Sequence, residues 1–153
     1  MSLTIVLLEP QIPPNTGNIA RLCAATGCRL HVVGKLGFSL SDKHLKRAGL
    51  DYWKHVDWTH YENLEEYLDQ LNIESCHFLT TKTQTSYFDV DYQKEDYLIF
   101  GSETTGIDEN ILKKHWHRTR TIPMKNQSQG VRSINLSTAV GIVLFEAIRQ
   151  HSK

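Results

Sequence analysis

Three cysteines, Cys23, Cys28 and Cys76, are too few and too irregularly spaced for a disulfide framework or a CxxC metal site. An odd, sparse set fits reduced thiols in the cytoplasm, and that location is expected. No apolar run approaches the roughly 20 residues that span a bilayer. The start, MSLTIVLLEP, lacks a basic leader, so neither a membrane anchor nor a signal peptide is expected. No internal repeat or low-complexity tract is present. The nucleotide signature GxxxxGK[ST] is missing, and the turn Gly101–Gly106 (GSETTG) carries Glu103 where a dinucleotide loop needs glycine. There is no GxSxG elbow for a serine hydrolase. His115-x-His117 and Cys76-His77 lack zinc spacing, so no metal is expected. The eight histidines have no context that suggests a triad and read as surface or partly buried rings.

What remains is a chain of 153 residues, 40% hydrophobic and 22% charged. That is one globular domain large enough to bury a core without staples. The formal charge is zero and the pI near 7.1, which taken alone argues against a nucleic-acid binder. The charge is unevenly distributed. Residues 1–50 carry six basic groups against two acidic (+4), residues 51–112 three against fourteen (−11), and residues 113–153 eight against one (+7). Both ends are basic and the middle is acidic. If the fold joins the ends, one face is positive.

Strand and helix signals alternate. Residues 3–8, 30–33, 76–80, 97–100 and 119–122 read as strands. Helices are expected from Thr16 to a stop at Gly27, over the short basic segment 43–48, from a Thr59-His60-Tyr61-Glu62 capping box to about Leu71, from an Asp108 cap to Lys114, and over about 136–150. This predicts an α/β domain with a mostly parallel sheet and helices on both faces. The last helix is apolar around much of its circumference (Leu136, Ala139, Val140, Ile142, Val143, Leu144, Phe145, Ala147, Ile148), which fits a central core helix or one shared with a second subunit.

In open α/β sheets, ligands gather beyond the carboxyl ends of the strands. Three such loops stand out: 13–21, Gly101–Gly106 and 123–137. The first offers Asn15, Thr16, Asn18 and Arg21, the second Glu103, the third Ser133, Asn135 and Ser137. These amides and hydroxyls orient a ligand without titrating near neutrality, although capping explains several of them as well. Trp53 and Trp58, beside Lys54, fit core packing or base stacking.

Taken in order, PQIPPNTGNIARLCAATG (10–27), KHLKRAGLDY (43–52), GSETTGI (101–107) and IPM (122–124) with RSINLSTAV (132–140) resemble the SPOUT class of knotted RNA methyltransferases. Within it the chain is similar to the TrmL/YibK group, which methylates the wobble ribose of tRNA. The resemblance covers essentially the whole chain. It implies a C-terminal deep trefoil knot, S-adenosylmethionine as methyl donor with S-adenosylhomocysteine as product, the tRNA anticodon stem-loop as partner, and a homodimer built through the C-terminal helix. Carried over residue by residue, it implies a donor site at Leu79, Thr80, Gly101, Ile122, Met124, Ser133 and Leu136. It implies a catalytic set of Arg21, Asn15, Glu103, Ser133 and Asn135. RNA contact is expected at Asn18, Lys43, Lys46, Arg47 and Arg132. Departures are modest: His44 stands where relatives often have Arg or Lys, Phe145 where some have Tyr, and the segment before Ser133 is slightly longer. The same chemistry on another tRNA or ribosomal RNA site, and a non-catalytic RNA-binding module, are the alternative readings.

Overall fold

The computed structural model describes residues 2–41, 53–130 and 133–152. Six strands, β1 (Thr4–Leu8), β2 (Arg29–Val33), β3 (Asp57–Tyr61), β4 (Cys76–Leu79), β5 (Tyr97–Phe100) and β6 (Thr119–Arg120), form one sheet in the order β3-β2-β1-β5-β4-β6. Every pairing is parallel. Parallel neighbours require crossovers, and the helices α1 (Pro13–Thr26), α2 (Leu64–Gln70), α3 (Glu109–Lys114) and α4 (Leu136–His151) cover the sheet on both faces. The period-2 alternation of strand side chains divides the core. Ile5, Leu7, Leu30, Val32, Leu98 and Phe100 pack with Ile19 and Cys23 of α1 and Val140, Val143 and Leu144 of α4. Val6, Leu8, Val33, Phe78 and Ile99 pack with Tyr67 and Leu68 of α2 and Leu112 of α3 on the other side. The expected α/β architecture is therefore present.

Several local expectations are corrected. The first helix begins at Pro13, not Thr16, because proline is tolerated at the first helical positions, where the N–H has no partner in the helix. Its end at Gly27, with φ 73°, is as expected. Thr59 caps nothing: it lies inside β3, an edge strand too polar to announce itself, and α2 opens four residues later with the Asn63 side chain accepting the Glu66 N–H at 3.0 Å. The last strand is only two residues long. Asp108 caps α3 as expected. Trp53 is half-buried against the α1 face of the core, with Trp58 5.1 Å away between ring centroids and 38% exposed. The expected helix at 43–48, with Lys43, His44, Lys46 and Arg47, lies outside the described residues, as does Arg132.

One buried cluster was not anticipated from the sequence. His77 of β4 is fully buried, its Nε2 2.6 Å from Asp96 Oδ2, while Arg120 Nε donates to its Nδ1 at 3.2 Å. The guanidinium can only donate, so Nδ1 is the acceptor and Nε2 carries the proton toward Asp96. The cluster ties together β4, β6 and the segment leading into β5. Burial, outweighing the Asp96 contact, holds the His77 pKa below its ordinary value. The folded protein therefore takes up a proton on this ring only at a lower pH than the unfolded chain, which does so near pH 6.5. Stability from His77 is present above that pH and declines as the pH falls through it, levelling off below the folded-state pKa. His77→Gln should flatten the slope of unfolding free energy against pH between 6.5 and 5, measured by urea titration. An unchanged slope would remove His77 from the acid response.

Candidate functional site

The three loops converge at the carboxyl ends of β1, β4, β5 and β6. They enclose a cavity of about 560 Å³ lined by Asn15, Thr80, Glu103, Ser133, Asn135 and Leu136, among others. The centre of the arrangement is Glu103. Its Oε1 accepts the Gln11 N–H at 2.9 Å, and its Oε2 accepts the Ile12 N–H at 2.9 Å and the Asn15 amide at 3.2 Å. Ile12 precedes α1 and offers no capping side chain, and the first two helical residues are prolines with no N–H to cap; the carboxylate instead ties down the backbone just before the helix from some ninety positions away. Asn15 Oδ1 in turn accepts the Asn135 amide at 3.1 Å. Asn135 Oδ1 caps α4 through the Ser137 and Thr138 N–H groups at 2.9 and 3.3 Å. One unbroken chain of hydrogen bonds therefore runs from the GSETTG turn through the start of α1 to the start of α4. It sets the relative positions of the loops to within hydrogen-bond tolerance.

Of the expected donor-site residues, Leu79, Thr80, Gly101, Ile122, Met124, Ser133 and Leu136 all line the cavity. Of the expected catalytic set, Asn15, Glu103, Ser133 and Asn135 line it too. Arg21 does not: it is exposed on α1, one turn beyond Asn18. Asn18 instead lines a separate shallow groove between α1 and α4, with Leu22, Ser137, Thr138, Gly141, Ile142 and Phe145. Phe145 is 51% exposed there. Sequence reasoning did not single out Lys82, which lines the cavity rim, or the Gln11 and Ile12 N–H groups that hold Glu103. No motif marks Lys82, and backbone donors leave no trace in side-chain chemistry.

The cavity's chemistry is specific. Leu79, Ile122, Met124 and Leu136 supply apolar surface; Thr80, Ser133 and the backbone of Gly101–Gly106 supply neutral donors and acceptors. Both carboxylate oxygens of Glu103 are already committed to N–H donors, so Glu103 positions loops and is not disposed to take a proton from a ligand. The thiols take no part: Cys23, Cys28 and Cys76 are buried and none lines the cavity, and burial pushes their pKa values up. The volume falls within the roughly 300–1,000 Å³ of small-molecule sites. The lining suits a flat heterocycle with a neutral sugar better than a phosphate.

Comparison with known proteins agrees with this geometry. The SpoU rRNA methylase family matches residues 2–145. A tRNA (cytidine(34)-2'-O)-methyltransferase of Yersinia pestis is 47% identical over 154 residues, covering 97% of this chain and 93% of its own length. A solved structure described as giving insights into the 2-OH methylation of C/U34 on tRNA is 40% identical, with a TM-score of 0.90 over 99% of this chain and 97% of that one. The AdoMet-bound rRNA methyltransferase of Sinorhizobium meliloti, 22% identical, shares the fold with a TM-score of 0.84, covering 99% of this chain and 57% of its own.

Proposed function

The chain belongs to the SpoU rRNA methylase family, and on that premise we propose that it transfers a methyl group from S-adenosylmethionine to the ribose 2'-hydroxyl of the wobble nucleotide, cytidine or uridine 34, of tRNA. The observation that carries this reading is the hydrogen-bonded closure of the three loops, Glu103 to Asn15 to Asn135, around a cavity whose lining fits adenosine. When bound, the donor supplies a methyl group already activated on a sulfonium. Leu79, Ile122, Met124 and Leu136 would sandwich its base, and Thr80, Ser133 and the Gly101 backbone would offer it hydrogen bonds.

The chain's remaining task is alignment and charge. As the ribose oxygen bonds to the methyl, the methyl–sulfur bond would break with its electron pair leaving on S-adenosylhomocysteine, and the hydroxyl proton would pass to solvent, so negative charge develops on the oxygen. Arg21 is suited to hold that oxygen or the adjacent phosphate, since a guanidinium is a poor base but a strong bidentate donor. Holding the two reacting atoms at contact distance supplies much of the remaining acceleration. Anticodon loops are single-stranded and present the ribose for such an approach.

The proposal includes a homodimer. Arg21 stands outside the cavity of its own chain, and the apolar groove between α1 and α4 ends in the exposed Phe145. A second copy seated on that groove would cover Phe145 and give Arg21 a cavity to serve. The C-terminal trefoil knot implied by the sequence resemblance belongs to the same reading, as does a cytoplasmic location, where the substrate tRNA resides. No helix among the described residues is long and apolar enough to cross a membrane.

The test is methyl transfer from labelled S-adenosylmethionine to tRNA lacking native modification, followed by nucleoside mapping. Label as 2'-O-methylcytidine or 2'-O-methyluridine at position 34 is expected. Label elsewhere in tRNA, or only in ribosomal RNA, would move the enzyme to another substrate.

A further inference from the structure

Lys82 has no part in the reading so far, yet it lines the cavity rim and is the one cationic side chain among the described residues that do. Its backbone is fixed: Thr80 Oγ1 accepts the Lys82 N–H at 3.2 Å, and the Thr80 N–H donates to the Arg120 carbonyl at 2.9 Å. The flexible stem lets the ammonium pivot about that anchored point. At present Nζ lies 3.0 Å from Glu109 Oε1, the first residue of α3. Glu109 is not part of the cavity wall. Lys82 and Glu109 side chains are 49% and 69% exposed, so the pair is solvent-screened and cheap to break. Glu109 is not stranded when released, because it sits in the first turn of α3, where a helix favours an acid, with Lys113 one turn on.

A methyl donor of the class proposed above carries an amino-acid tail ending in a carboxylate. The cavity's own acid, Glu103, cannot receive that group, and the apolar wall of Leu79, Ile122, Met124 and Leu136 offers it nothing. We propose that Lys82 is a specificity-determining residue that exchanges Glu109 for the carboxylate of the donor's amino-acid tail, so that the rim ion pair selects donors bearing that tail. This inference rests on the S-adenosylmethionine reading of the cavity. Glu109 competes with the incoming carboxylate, and its removal leaves Lys82 fully available.

Calorimetric titration of the full chain with S-adenosylmethionine and with its decarboxylated analogue tests the exchange. Lys82→Met should weaken binding of S-adenosylmethionine about two- to fivefold, the range of a screened ion pair, and leave the decarboxylated analogue unchanged. Lys82→Arg should restore most of the loss, and Glu109→Gln should tighten S-adenosylmethionine severalfold without affecting the analogue. Equal losses for both ligands, or none for either, would overturn the assignment, as would an effect confined to the KM for tRNA, which would place Lys82 on a phosphate. Failure of the unaltered protein to bind S-adenosylmethionine would overturn the donor reading itself, an outcome distinct from the others.

Discussion

Gly101→Ala is expected to abolish methyl transfer and donor binding, whereas Gly106→Ala in the same turn should weaken both only modestly. A Cβ at Gly101 would lie 2.1 Å from the Gly106 carbonyl carbon, 2.3 Å from the Ile107 nitrogen and 2.5 Å from the Gly106 oxygen. All three are backbone atoms, so no side chain can rotate aside and the turn itself has to open. Overpacking of this kind costs about 3 kcal/mol, or roughly 6–12 °C in Tm for a domain of this size. The opened turn carries Glu103 away from the start of α1. Gly106 is different. It has open space around it, and its φ of 69° costs an alanine about 1–2 kcal/mol. Melting curves and donor titrations on the two variants separate the cases. A Gly101→Ala protein within twofold of the unaltered enzyme would mean that the turn tolerates rearrangement and that its close approach is not what builds the cavity.

Arg21→Ala should lower turnover by a hundredfold or more, about 3 kcal/mol of transition-state stabilisation, while donor affinity stays within a few-fold. The dissociation follows from position, since Arg21 does not line the cavity of its own chain. If Arg21 serves the cavity of a second copy, activity can be rebuilt from two inactive chains. Coexpressed Arg21→Ala and Asn135→Ala chains would form mixed dimers with one intact site, containing Asn135 from one chain and Arg21 from the other. Random pairing then returns about a quarter of the normal activity. No recovery would confine Arg21 to its own chain, and full turnover in the Arg21→Ala homodimer would remove it from the reaction.

What the sequence revealed was set by how far apart the interacting groups lie. The Gly27 stop, the Asp108 cap and the apolar last helix are signals carried by a few neighbouring residues, and each appears in the fold where it was expected. The misplaced cap at Thr59 shows the weakness of such signals. Asn63-x-x-Glu66 has the same form as Thr59-x-x-Glu62, and only the pairing of β3 with β2 decides between them. Motifs placed Asn15, Glu103, Ser133 and Asn135 in one site, but not the order of contact. The resemblance puts Glu103 in the catalytic set without saying what it holds, and the structure shows its carboxylate holding the Gln11 and Ile12 N–H groups. His77, Asp96 and Arg120 are unremarkable singly, because burial and mutual contact across three segments are what make them a unit.

The contact between Asn135 and Asn15 closes a loop of 120 residues. During synthesis, β1, α1 and the GSETTG turn have all emerged well before Ser133–Ala139, which complete the cavity wall and satisfy the Asn15 carbonyl. At about 5–20 residues per second, the ribosome adds these last wall residues some seconds after the GSETTG turn. A chain that stops short of Ser133 lacks one wall of the cavity, however much of the sheet it has built.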